Sequence, residues 1–198
     1  MPGINMKKRK YLTEHEINLL LDSANKGMNA ERNYCMILMA YRHGFRISEL
    51  LALTMADVDI QSGVIYVKRL KNGFSVYHPL SEDECHALSK WLSLKKMTST
   101  SVTSEAIFTT SSGAAISRSQ AWKIISKCGV ESNIGFRVHP HMLRHSCGYK
   151  LAERGTDTRL IQDYLGHRNI RHTVLYTKSN FNRFTGLWGS ATTPPIAV

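Results

Sequence analysis

A mainly helical α+β fold with one small three-stranded antiparallel sheet near its middle is what the 198-residue chain predicts. Three observations carry that expectation. Helix start and stop signals recur along most of the length: Thr13-Glu14-His15-Glu16 has the capping-box form, and Gly44, Gly155 and Gly166 each follow a run of helical apolar spacing. The stretch 64–77 instead carries two β-rich tetrapeptides joined through Lys71-Asn72-Gly73, and Asn-Gly is the strongest short hairpin signal. A chain of this length that is 42% hydrophobic buries a core without disulfide or metal staples.

The elements follow in order. Thr13 is the expected N-cap of the first helix, with Glu16 reaching back and Ile17, Leu20 and Leu21 forming the buried face. A second helix is expected over 30–43, ended by Gly44 in the left-handed conformation, and a third starts near Ile47. Residues 64–67 and 74–77 are the expected hairpin strands, and 106–109, closed by Ser111-Ser112-Gly113, the third strand. Between them 87–95 reads as helix and 98–104 as a Ser/Thr-rich loop. Further helices are expected over 118–128, 140–154, 157–165 and 171–178, with Pro140 in a first turn where its missing N–H costs nothing. Residues 1–12 read as a basic arm and 13–180 as the domain. In 181–198, Phe181, Phe184, Leu187 and Trp188 either pack on a neighbouring protomer or join the core.

Charge narrows the function. Against 15 Asp+Glu stand 26 Lys+Arg, a net +11 that attracts a polyanion, nucleic acid before an anionic membrane. Lys7, Lys8, Arg9 and Lys10 form a basic run, and Arg168 and Arg171 add charge near the end of the chain; all six are candidate DNA contacts. Cys35, Cys85, Cys128 and Cys147 are widely spaced with no C-x-x-C, as expected of core thiols in a reducing compartment. The longest apolar run, 35–41, is far short of the roughly 20 residues a membrane span needs. A cytoplasmic, nucleoid-associated protein without membrane contact is expected.

Candidate chemistry lies in four places. Arg46 follows Gly44 at a helix start, where a guanidinium grips phosphate with two parallel hydrogen bonds, and Glu49 pairs with it at i+3. His141 and Arg144 are one helical turn apart, and His145 is at i+4 from His141. Lys71 sits at the hairpin tip, where most lysines are simply solvated. Tyr176 follows His167, Arg168, Arg171 and His172. Taken singly, a tyrosine is more often an ordinary half-buried side chain: with a pKa near 10, only about 0.1% is phenolate at neutral pH, so a nucleophile needs nearby cations and a base. Histidines at i and i+4 also suit zinc, but H-E-x-x-H is absent.

Together these residues make the chain resemble the tyrosine recombinases, the phage-integrase family. The resemblance rests on Gly44-Phe45-Arg46-Ile47-Ser48-Glu49-Leu50, Lys71 before His78-Pro79-Leu80, Pro140-His141-Met142-Leu143-Arg144-His145, Leu165-Gly166-His167 and Tyr176-Thr177. Within the family, 157–173 and 70–75 are similar to the short bacterial fimbrial phase-variation recombinases, which invert a promoter-bearing segment between inverted repeats. The resemblance implies that Tyr176 attacks the scissile phosphate to form a 3′-phosphotyrosyl bond. It further implies that Arg46 and Arg144 clamp the non-bridging oxygens, that Lys71 protonates the leaving oxygen and that His141 transfers a proton. His167 then supports phosphate and tyrosine, with Glu49 and His145 assisting. No cofactor, metal or nucleotide is implied. The partners implied are double-stranded DNA with inverted-repeat sites, a homotetramer on synapsed DNA and accessory DNA-bending proteins. Many members carry a separate N-terminal helical domain; only about 40 residues precede Arg46 here. Two other readings stay open: a non-catalytic DNA-binding regulator of the same fold, and a mobile-element integrase or excisionase.

Overall fold

The computed structural model describes residues 9–70, 73–98 and 104–178. Helices α1 (Glu14–Ala24), α2 (Ala30–Arg42) and α3 (Ile47–Leu51) lead into a sheet of β1 (Val58–Asp59), β2 (Val64–Val67) and β3 (Val76–Pro79). Then follow α4 (Glu82–Thr98), α5 (Arg118–Glu131), α6 (Pro140–Glu153), α7 (Thr158–Leu165) and α8 (Arg171–Thr177). The expected mainly helical α+β architecture is what the chain adopts.

The apolar run 35–41 forms the centre of the core. From Cys35 to Ala40 no residue is more than 3% exposed, because α2 is covered by α1, α4 and α6. A helix that is hydrophobic all round belongs in the middle of a protein, and this one runs through it. Thr13 caps α1 through the reciprocal bonds of a capping box. Gly44, at φ +57°, ends α2, and Gly166, at φ +66°, ends α7. Among the described residues, no helix is long and apolar enough to cross a membrane.

The sheet departs from expectation in two places. Its order is β1-β2-β3, all antiparallel, with Ile65 opposite His78 and Val67 opposite Val76. The second hairpin strand is therefore Val76–Pro79 rather than 74–77, and eight residues separate the two strands; the expected Lys71-Asn72-Gly73 turn lies partly outside the described residues. The ladder stops early because the next backbone N–H groups find side chains. Arg69 N–H donates to Ser75 Oγ at 3.0 Å and Leu70 N–H to Glu49 Oε1 at 3.1 Å. The third strand is the two-residue β1, not 106–109, which makes isolated bridges with Thr54 and Ala115. Residues 106–109 are a core plug: Ile107 and Phe108 are fully buried, and the Ile107 carbonyl accepts from Trp91 Nε1 at 2.9 Å.

Helix α4 begins five residues earlier than expected. Its first turn is acidic, and the Ser81 N–H donates to Glu84 Oε2 at 3.0 Å, the start signal that apolar periodicity alone does not reveal. The described part of the N-terminal arm is docked. Tyr11 stacks on Tyr149 at 4.0 Å, Leu12 is 3% exposed and its N–H donates to Ser146 Oγ at 2.8 Å.

Candidate active site

Two left-handed glycine turns lie against each other beneath the site. A Cβ built on Gly44 would collide with Leu165 and stand 3.3 Å from Cys147 Sγ, so this approach of α2 to α7 requires glycine as well as a positive φ. The first turn delivers Arg46 and the second delivers His167. Arg144, on the intervening helix α6, is strapped between them: Nη1 donates to the Gly44 carbonyl at 2.5 Å and Nη2 to the Leu165 carbonyl at 2.7 Å.

Arg46 is the N-cap of α3, and the anion occupying that helix start is the protein's own. Glu49 accepts from the Arg46 N–H at 3.0 Å and from Arg46 Nη1 at 2.6 Å. The carboxylate is buried, which by itself would push its pKa up, but the hydrogen bonds from Arg46 and the charge of Arg69 hold it below the ordinary carboxylate range. Glu49 is thus ionised and fully partnered. Arg46, with its side chain 26% exposed, faces outward. Arg144 is 6% exposed, and burial, reinforced by the charges of Arg69 and Arg46, pulls its pKa down to about 10. It remains cationic at neutral pH. Its hydrogen-bond partners are carbonyls, which do not cancel its charge, so the site carries excess positive potential that a phosphate would relieve.

Tyr176 stands across α6 from these arginines. The ring lies on Gly148, where a Cβ would meet ring atoms at 2.5 Å, and against Tyr149 at a centroid distance of 5.2 Å. Its hydroxyl is 3.1 Å from His145 Nδ1. Burial raises the phenol pKa to about 12, while the Arg144 charge works in the opposite direction. His145 is pushed below the ordinary imidazole range by burial and then by the charges of His141 and Arg144. A neutral imidazole facing a protonated phenol is a competent acceptor for that proton. His167 is 7% exposed and pushed down to about 3 by burial and then by Arg144, so it too is a neutral ring. Its Nδ1 lies 3.0 Å from Thr173 Oγ1, and its ring stacks at 6.3 Å from that of Tyr176.

Arg46, Glu49, Arg144, His145, His167 and Tyr176 therefore come together. His141 is exposed on the first turn of α6, near enough to His145 for its charge to act on that ring. It lines a cleft of about 360 Å³ with Ile47, Arg118, Trp122 and His139. Arg168 and Arg171 are exposed around the His167 turn, and Lys10 is exposed on the arm. Arg9 is not a solvated cation: its side chain is 12% exposed, paired with Glu16 and placed over the rings of Tyr11 and Phe136. Lys7, Lys8, Lys71 and the segment 181–198 lie outside the described residues. Among the described residues no group of three His, Cys, Asp or Glu side chains is arranged to hold a metal ion.

Sequence reasoning missed Arg69. Its guanidinium is wholly buried and pairs with Glu49 Oε2 at 3.0 Å. The signal was present in the alternation of β2: Ile65 and Val67 face inward, and the same period of two carries Arg69 to that side. The set His43, His78 and Glu84 was missed as well. His43 Nδ1 is 3.0 Å from His78 Nδ1, and His43 Nε2 is 3.0 Å from Glu84 Oε1.

Comparison with known proteins agrees with this geometry. The chain is 53% identical over 183 residues to the type 1 fimbriae regulatory protein FimE of Escherichia coli strain K12, covering 92% of each chain. It is 51% identical over 185 residues to FimB of the same strain, covering 93% of this chain and 92% of the relative. Among solved structures, the XerA recombinase superposes with a TM-score of 0.77 at 28% identity, over 88% of this chain and 62% of that one. Residues 10–183 match the phage integrase family, and the chain belongs to it.

Proposed function

We propose that the protein is a site-specific DNA recombinase that cuts and rejoins strands through a 3′-phosphotyrosyl intermediate. The observation that carries this reading is the Arg144 strap, which holds the Arg46 and His167 turns together opposite Tyr176. The Tyr176 oxygen attacks the scissile phosphorus while His145 takes the phenolic proton. The bond to the 5′ oxygen breaks, and Lys71, carried over from the family motif, protonates the departing hydroxyl. Arg46 and Arg144 neutralise the charge that develops on the non-bridging oxygens. The phosphotyrosyl ester keeps the energy of the broken bond, so the reverse attack by a 5′ hydroxyl reseals DNA without a nucleotide. His141, at the cleft beside Ile47, contacts the DNA or relays a proton from His145.

The similarity to FimE and FimB supports inversion of a promoter-bearing segment that controls fimbriae. Exchange between two inverted-repeat sites cuts four strands, and one nucleophile per strand calls for four protomers. Accessory DNA-bending proteins and a nucleoid-associated, cytoplasmic location belong to the same reading. Arg168, Arg171 and Lys10 supply phosphate contacts.

The test is an SDS-resistant adduct assay on nicked duplexes tiled from the DNA flanking this gene, in EDTA, with wild type and Tyr176→Phe. Adduct with wild type alone is expected. Sequence-specific binding by both proteins without adduct on any tile would favour a non-catalytic regulator.

A further inference from the structure

We propose that Arg69 is a positioning residue of the recombination site, a buried clip that seats the β2–β3 hairpin on the two turns carrying Arg46 and His167. The four bonds of its guanidinium reach three parts of the site. Nη1 reaches Glu49 Oε2 at 3.0 Å and the Gly44 carbonyl at 3.4 Å; Nη2 donates to the carbonyls of His43 at 2.9 Å and Tyr164 at 2.7 Å. The acceptors belong to α3, to the end of α2 and to the end of α7, just before Gly166 and His167. A flat fork with donors fixed on two arms suits this arrangement better than the compact point charge of an ammonium.

The hairpin is tied to the same point on both sides of residues 71–72. On the incoming side, Leu70 N–H donates to Glu49 Oε1 at 3.1 Å, so the carboxylate that holds Arg46 also holds the hairpin. On the returning side, Gly73 lies directly on the clip: a Cβ there would stand 2.8 Å from Arg69 Cβ and 2.9 Å from the Gly166 carbonyl. A Cβ on Gly166 would in turn stand 2.7 Å from Arg69 Cγ and 3.0 Å from the Phe74 carbonyl. Burying a guanidinium is costly, and removing this one alone would leave the buried Glu49 carboxylate and the carbonyls of His43 and Tyr164 without this donor, so a loss of stability does not by itself separate a structural role from a positioning one. What arginine supplies is registration of the hairpin against the phosphate-binding turns.

The inference rests on the reading above, in which the hairpin residue Lys71 is the general acid. If Arg69 positions that acid, losing Arg69 harms cleavage most where the leaving group needs a proton. The substrate pair that reports this is a nicked duplex spanning the mapped cleavage position, with an ordinary phosphate or with sulfur replacing the bridging 5′ oxygen. In the second duplex the P–S bond breaks as the Tyr176 O–P bond forms, and the sulfur leaves as a thiolate without protonation. For Arg69→Gln, cleavage of the ordinary duplex should fall at least about 100-fold, the scale of general-acid catalysis, and the sulfur duplex should recover most of that loss. Lys71→Ala should behave alike. Gly73→Ala, which keeps every charge and pushes the hairpin off Arg69, should show a weaker version of the same pattern, and it carries the test if Arg69→Gln does not fold. Rescue of Lys71→Ala without rescue of the Arg69 and Gly73 variants would overturn the inference alone. Failure to rescue Lys71→Ala would overturn the acid assignment and the inference with it.

Discussion

Arg46 and Arg144 sit on a frame of buried hydrogen bonds, whereas Tyr176 hangs from a helix of seven residues whose neighbours Val174 and Leu175 are 39% and 59% exposed. The cation half is locked by two glycine turns, a carboxylate and the carbonyls at two helix ends. The tyrosine half is held by ring packing and by one neutral contact to His145. The difference fits the tasks proposed for the two halves. Charge stabilisation works best when the donors are fixed before the phosphate arrives, because none of the gain is then spent on reorganising them. A nucleophile that must alternate between attack and release is better carried on a short, lightly packed element.

The contrast breaks most visibly at Arg144. Arg144→Ala removes the strap, leaving the Leu165 carbonyl buried without its side-chain donor and the Gly44 carbonyl with only the longer bond from Arg69. Adduct formation should fall by about 10³-fold or more, and stability by about 2–4 kcal/mol, read as a lower urea midpoint. Normal stability with full activity would show that the two turns do not depend on the strap. His145→Ala tests the other half. Adduct formation should slow about 10²-fold while DNA affinity and the urea midpoint stay near wild type, because the His145 contact supplies a proton acceptor rather than a frame. A comparable loss of stability would mean that the nucleophile side is as rigid as the cation side.

Acid stability sharpens the comparison. His167 and His78 are both held near 3 in the fold, chiefly by burial, so the unfolded chain binds more protons at each position below its ordinary value of 6.5. Stability is therefore full above about 6.5 and is lost as pH falls from there toward 3, by roughly 2–4 kcal/mol per group. Replacing His167 with Asn should remove one of these two contributions and flatten the urea-midpoint profile between pH 6.5 and 4. An unchanged profile would place His167 in water.

The smallest effect is expected in the arm. Arg9 is paired with Glu16 and lies over two aromatic rings, so Arg9→Gln should lower stability and leave the salt dependence of DNA binding almost unchanged. Neutralising Lys7, Lys8 and Lys10 together should flatten the log–log salt slope by up to about 2.7, near 0.9 per phosphate contact. A slope that moves with Arg9 alone would mean that its pairing is broken on DNA.

How far the sequence could be read follows from the range of the forces involved. Capping boxes and left-handed glycines act within four residues, and Thr13, Gly44, Gly155 and Gly166 stand at the helix ends they mark. The Arg46–Glu49 pair is equally local. The strand at 106–109 failed because its alternation-free apolar run fits a core plug as well as a strand, and partners distant in sequence decided between them. The hairpin register failed because Leu70 N–H bonds Glu49, a contact 21 residues away. Arg69 and the His43–His78–Glu84 set stayed hidden for the same reason: a buried polar residue is recognisable only when its partners are known. Motif resemblance, by contrast, brought Arg144, His167 and Tyr176 into one group before any contact among them was visible.

The most direct test of the account is to digest the covalent protein–DNA complex with trypsin and identify the nucleotide-bearing peptide. Linkage is expected on Tyr176, within the peptide running from His172 to Lys178, through a 3′ phosphate, with a free 5′ hydroxyl on the other strand end that a kinase can label. A nucleotide attached to another residue, or joined through a 5′ phosphate, would contradict it.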